Sequence, residues 1–339
     1  MSERVMKFGV FDHVDFNGQA VGDEYAGRLR LVALYEELGF HCYHLAEHHA
    51  TELGMAPSPS VFLAAVAART SSIRLGSLVY LLPLHHPVRL LEEIAVLDNL
   101  SGGRFQLGVG RGGQPAEHTR FGLAPDDLAP MFEEALGLIL EGLATGRIAA
   151  HEGPHYTLPE VELRVRPVQQ PHPPIWYGTA SSHRNEWAAH HDVNLLCLIP
   201  DERARPVFDD YREKLAALGK TGEAAPFTGL ARQLVVAATD ADAQALGQRA
   251  WKRFADSFNW LPLRLGMPPF PLAPTFEAAM ESGMAFAGSP ASTRDWVARS
   301  RDTAGIDYMA LEIGFGDLTE GEIAQTAQLV AREVMPEFG

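Results

Sequence analysis

Little in this 339-residue chain points to a partner of high charge or to a membrane. Basic residues number 28 against 43 acidic ones, a net charge of −15. Nucleic acids and anionic lipid surfaces call for basic patches, and no Lys/Arg run supplies one. No apolar run is long enough to span a bilayer. Met1-Ser2-Glu3-Arg4 leads straight into a strand-like run, with no apolar signal segment. Only two cysteines occur, Cys42 and Cys197, each inside an apolar run. That excludes a disulfide framework and predicts two buried thiols in a reducing, cytoplasmic setting. Several catalytic signatures are missing as well. There is no Gly-x-Ser-x-Gly elbow, no phosphate-binding Walker loop and no His-Glu-x-x-His helix. No histidine or cysteine pair has metal-ligand spacing, so no metal site is expected.

What is present is regular. Near-continuous apolar runs mark eight strands: 7–11, 41–46, 73–82, 105–109, 175–179, 194–199, 230–238 and 308–313. Such runs suit strands covered on both faces. Helical patterns lie between them, among them 26–38, 59–69, 87–100, 128–144, 184–191 and 240–258. A last helix is expected over 319–335, with Thr319 and Glu322 as a capping box. Eight strand–helix units close a barrel, so the fold expected is an α/β (β/α)8 barrel in one domain, 1–339. A doubly wound open sheet fits less well. Asp12-His13-Val14-Asp15-Phe16 follows the first strand where a glycine fingerprint would stand. Two segments break the rhythm. Residues 146–174 read as a small hairpin insertion, and the Pro-, Met- and Phe-rich 259–288 as a lid, with Trp260, Leu263, Met267, Phe270 and Phe276 as its apolar side chains.

The strand ends carry the candidate chemistry. Gly110-Arg111-Gly112 ends the fourth strand. An arginine fork between glycines is shaped for a planar anion such as phosphate, though it suits an ion pair at a strand end equally well. Glu47-His48-His49 follows the second strand, where a histidine is placed for proton transfer near neutral pH. Loop histidines tied to neighbours have the same pattern. Ser181 and Ser182 precede a helix expected to start near His183; they suit an anion site or an N-cap. Glu312 is placed to face the mouth.

These pieces, in this order, resemble the bacterial-luciferase-like flavin-dependent monooxygenases over nearly the whole chain. The residues that carry the likeness are Met6 to Phe11, Leu45 to His49, Arg74-Leu75-Gly76, Leu82-Pro83 with His86 to Arg89, Leu97-Asp98 with Ser101 to Phe105, Gly110 to Gly112, Phe121-Gly122, Gly288-Ser289-Pro290, Ala304-Gly305-Ile306 and Val334-Met335-Pro336. The resemblance implies an α/β barrel that takes reduced FMN from a separate flavin reductase. It implies a C4a-peroxyflavin formed with O2, which oxidises a small apolar organic substrate such as an aldehyde, a ketone or a terpene-like molecule. By position, His48 is the catalytic histidine. Glu47, Leu78, Val79, Gly110, Arg111, Gly112, Ala180 and Ser181 lie at the cofactor, with a non-prolyl cis peptide expected at Leu78-Val79. A homodimer is implied too. Gly110 stands where light-emitting members commonly have a cysteine, which argues against light emission. Two other readings stay within reach: a deazaflavin-dependent oxidoreductase of the same superfamily, and a flavin-binding barrel without turnover.

Overall fold

The computed structural model describes residues 5–339. Met1 to Arg4, read above as leading straight into the first strand, lie outside the described residues. Eight parallel strands form a closed barrel: β1 (Lys7–Asp12), β2 (Cys42–Leu45), β3 (Arg74–Leu81), β4 (Phe105–Gly110), β5 (Ile175–Thr179), β6 (Asn194–Cys197), β7 (Thr228–Val236) and β8 (Tyr308–Glu312). Each pairs with the next, and β8 pairs with β1. All eight expected strands are there. A further strand, Ala285–Gly288, pairs with the C-terminal half of β7.

Helices coat the barrel: α1 (Val21–Glu37), α2 (Pro59–Arg69), α3 (Pro87–Leu100), α4 (Pro115–Arg120), α5 (Leu128–Thr145), α6 (Asn185–His190), α7 (Asp201–Ala217), α8 (Asp240–Arg264), α9 (Phe276–Glu281), α10 (Pro290–Ala304) and α11 (Glu320–Leu329). The Thr319–Glu322 capping box forms at the start of α11. The 146–174 insertion is two short antiparallel pairings, Arg147–Ile148 with Val161–Glu162 and His151–Glu152 with Thr157–Leu158. The 259–288 segment is more regular than its composition predicts. Its first residues complete α8, and α9 and the ninth strand occupy its end.

Alternation along the strands sorts the interior into layers. Tyr308, Trp176 and His44 fill the layer nearest the N-terminal end, and Tyr308 Oη lies 2.6 Å from His44 Nε2. Above them Phe11, Ala46, Leu78, Leu196, Ala231 and Ala310 form an apolar middle layer. Glu312, one alternation beyond Ala310, reaches the mouth.

The β3–β4 seam is tight. A Cβ on Gly108 would stand 2.0 Å from the Ser77 carbonyl oxygen, a backbone atom that cannot swing away. The pairing register of β3 on β4 shifts between Ser77 and Tyr80. Gly108→Ala is therefore expected to cost about 3 kcal/mol or more, by overpacking against backbone. Denaturant unfolding checks this; a midpoint equal to that of the wild type would contradict the packing described.

Arg104, just before β4, is a structural clamp. Its guanidinium donates to the Ala67, Thr70, Ile73 and Ser101 carbonyls and to Thr70 Oγ1, closing the C-terminal end of α2. Of these acceptors the Ile73 carbonyl sits at the foot of β3, opposite the mouth.

Candidate active site

The C-terminal strand ends meet at one mouth. Glu47, just past β2, lies beneath the surface. Its side chain is 0% exposed, and Leu81 N, His49 Nε2 and His85 Nε2 lie 2.7–2.8 Å from its oxygens. Burial alone would raise its pKa, but hydrogen bonds from His49 and His85 outweigh that and hold it near 2. His85 moves the other way: burial lowers its proton affinity, and Glu47 more than restores it. With both oxygens engaged, Glu47 orients its neighbours rather than reaching into the mouth.

His48 turns away from Glu47. Its Nδ1 lies 2.7 Å from Glu117 Oε1, and Glu117, on α4, is buried. A carboxylate at Nδ1 keeps a proton there and leaves Nε2 as the working nitrogen. The His48 side chain keeps 15% of its surface exposed.

A second carboxylate–histidine pair stands beside it. His13 Nδ1 lies 2.6 Å from Glu312 Oε1, and Gln233 Nε2 donates to Glu312 Oε2 at 2.7 Å. The His13 and His48 rings are stacked, 5.2 Å between centroids at 28°. Burial acts to lower the His13 pKa, but Glu312, helped by Asp15 and Asp12, lifts it to about 9. Asp15 is pushed up to about 8, chiefly by burial. Between them Val14, β-branched and buried, has φ 54°. That conformation is costly for valine, and strain of this kind collects at functional sites.

Across the mouth, Arg111 is exposed, and its guanidinium has no ion pair or hydrogen bond among the described residues. Gly112 beside it has φ 88°, and a Cβ there would strike His118 Nε2 at 2.6 Å. A Cβ on Gly110 would stand 2.4 Å from Val79, so Val79 and the β4 end are in close contact. The Leu78–Val79 peptide is cis, as expected. Around Gly178, at the end of β5, there is open space. Tyr177 next to it has a raised pKa, chiefly from burial, against which the charges of Arg184 and Arg111 both pull. Both guanidinium charges are therefore felt at this edge.

The fifth-strand loop departs from expectation in two ways. The helix begins at Asn185, not near His183, and no serine side chain caps it. Ser181 Oγ lies 2.8 Å from His183 Nδ1 instead, while Thr179 Oγ1 donates to the Ser181 carbonyl and Ala180 is exposed beside them. Arg184 is not free: it pairs with Glu133 and stacks over Trp187, Phe132 and Tyr177.

The cover of the mouth is the end of α8. Phe254 packs edge-on to His13, 6.1 Å between centroids. Phe258, Leu261 and Pro262 line a small cleft with Thr51, Leu53, Gln114 and Glu117. Arg253 ties the helix down, bonding Glu52 at 2.8 Å and the Phe16 carbonyl at 2.9 Å. Of the apolar residues expected in a lid, Phe276 instead lies in the core, stacked on Phe315, and Leu263 faces solvent. No sequence signal marked Glu117, His13 or Gln233. Their pairings span 69, 299 and 79 residues and exist only once the barrel closes.

No group of three or more His, Cys, Asp or Glu is arranged to hold a metal ion among the described residues. None of their helices is long and apolar enough to cross a membrane.

Parallel barrel, cis peptide under a glycine-flanked arginine, and histidines paired with carboxylates: together these define a class of α/β-barrel proteins built around one mouth. The chain belongs to the luciferase-like monooxygenase family, whose model matches residues 6–308. It is 39% identical over 335 residues to protein y4wF of Sinorhizobium fredii, covering 98% of each chain. The monooxygenase RslO1 from Streptomyces bottropensis superposes with a TM-score of 0.88 at 27% identity, over 98% of this chain and 100% of that one. The oxygenase component of a flavin-dependent trigonelline monooxygenase from Acinetobacter baylyi is 29% identical over 194 residues, 56% of this chain and 53% of its own length.

Proposed function

We propose that this protein is the oxygenase half of a two-component flavin monooxygenase. It takes reduced FMN from a separate reductase and uses O2 to oxidise a small apolar organic molecule: an aldehyde, a ketone or a terpene-like compound. The observation that carries this reading is the unpaired, glycine-flanked Arg111 at the barrel mouth of a chain whose net charge is −15. A free cation in so acidic a protein suits a phosphate. The A. baylyi relative, by its name, is the oxygenase component of a flavin-dependent system. The two cysteines are buried and unpaired, which suits a reducing cytoplasm.

The residues present fit FMN. Arg111 offers a two-pronged contact to phosphate, with the Ser181 hydroxyl in the loop after β5 as a further donor. Gly110, against the Val79 side chain, and the open Gly178 bring backbone without side chains to the Arg111 edge of the mouth, which suits a planar ring approaching there. Reduced FMN, when bound, supplies the two electrons that activate O2. His48, its Nδ1 held by Glu117, exchanges a proton at Nε2. Phe254, Phe258, Leu261 and Pro262 keep water out from above. Beneath the mouth, the apolar middle layer that includes Phe11 and Ala231 suits an apolar substrate.

Anaerobic titration with reduced FMN tests the cofactor assignment. Arg111→Ala is expected to weaken binding about ten- to a hundredfold, the worth of a charge-assisted hydrogen-bond pair. Reduced riboflavin, which lacks the phosphate, is expected to bind wild type and variant alike. Tight binding of a reduced deazaflavin with no binding of FMN would replace this reading with the deazaflavin one.

A further inference from the structure

His13 has no role in the reading above, yet its surroundings are specific. It stands immediately past the end of β1 with its ring against the face of His48, 5.2 Å away. Glu312 on β8 holds its Nδ1, and Gln233 on β7 holds Glu312. The strained Val14 follows it, fastened through its N–H to Asp12 Oδ1 at 2.8 Å and through its carbonyl to Met55 N at 3.0 Å. Three strands thus converge to fix one imidazole beside another.

We propose that His13 is a positioning residue for His48: a fixed imidazolium, secured by Glu312 and Gln233, that keeps the His48 ring neutral and its Nε2 free to accept a proton. The charges around the pair support this. Glu117, from α4, sits on His48 Nδ1 and by itself would stabilise the protonated ring. Facing His13 are the carboxyls of Glu312, Asp12 and Asp15, and each favours its cationic form. From α8 only the apolar Phe254 meets His13, because Arg253 is turned to Glu52 and Phe16. From α1, Arg28 is spent on Glu24 and Asp12. Glu47 is spent on His49 and His85. His13 is thus a positive charge held in ring contact with His48, and like charges in contact disfavour double protonation.

The test needs no flavin. Protein labelled in its histidine rings is titrated by NMR, and the His48 signal is assigned by its loss in His48→Gln. In His13→Gln the His48 midpoint is expected to rise by about one to two pH units, from a charge 5.2 Å away at an intermediate dielectric. His13→Lys keeps the charge without the ring and is expected to bring the midpoint back towards the wild type. If His13→Gln does not fold, the near-isosteric Glu312→Gln, which weakens the hold on the His13 proton, is expected to give a rise in the same direction but smaller, because the Glu312 charge is lost with it. An unmoved midpoint overturns the proposal, and so does a His13→Lys midpoint equal to that of His13→Gln. The catalytic meaning rests on the role given to His48. In turnover, the acid limb of the pH profile is expected to move up with the NMR midpoint. Reduced-FMN titration fails or succeeds separately from either measurement.

Discussion

Replacing His48 with alanine is expected to cut product formation about 10²- to 10⁴-fold, the usual worth of a placed proton-transfer group, while reduced FMN still binds. The argument is local. Glu117 fixes the ring from Nδ1, the stacked His13 fixes its plane, and the cofactor's phosphate is assigned to the opposite edge of the mouth. Losing the imidazole therefore removes proton handling without removing the anchor. Electrons from reduced FMN are expected to appear as hydrogen peroxide instead of oxidised substrate. Product yield and peroxide, measured together against reduced FMN consumed, check this. A variant whose product yield equals that of the wild type would remove His48 from the chemistry. Lost FMN binding would make it a cofactor-holding residue.

The second large effect is expected at Glu47, and it concerns stability first. The side chain is fully covered and has three donors on it. Glu47→Ala leaves the Leu81 N–H and two imidazoles unanswered in a buried place. A loss of about 3–5 kcal/mol is expected, as when one partner of a buried ionic cluster is removed. That is a large part of the whole stability of a typical fold. Glu47→Gln keeps the shape and isolates the charge. The folded carboxylate is held near pH 2, well below its value in an unfolded chain. Its contribution is thus fully present above the unfolded pKa of about 4.3 and is lost as pH falls through 2. The stability gap between wild type and Glu47→Gln is therefore expected to narrow between about pH 4 and pH 2. Urea unfolding over that range measures it. A gap independent of pH would mean that the charge of Glu47 is not what the two histidines respond to.

The fold was largely legible because each barrel strand carries its own signal. Strands such as Phe105–Gly110 are buried on both faces, so they appear as near-continuous apolar runs, here interrupted only by Gln106. Helices α2 and α3 begin at Pro59 and Pro87, as read from sequence, since a proline at the first turn loses no hydrogen bond. The misreading near residue 259 came from the same residue type. Pro262 suggested a break, but it lies in the last turn of α8, where the buried series Phe254, Ser257 and Leu261 keeps the helix packed over the mouth. The site was legible only in its local part. His48 and Arg111 announce themselves by type and by glycine neighbours. Glu117 looks like any acidic residue in a helix until α4 carries it onto His48. Arg184 looks available for an anion, yet Glu133, 51 residues away, already holds it.

The middle layer of the barrel bears on how such a protein changes over generations. Its inward positions hold Ala46, Ala231 and Ala310 beside Leu78, Leu196 and Phe11. The alanines lie on β7, β8 and just past β2, whereas between β3 and β4 a Cβ on Gly76 or Gly108 would meet a carbonyl oxygen at 2.1 or 2.0 Å. Volume can therefore be traded one methyl at a time at the alanine positions, while the β3–β4 seam admits no such change. The interior is adjustable in shape where it is lined by alanine and fixed where backbone meets backbone.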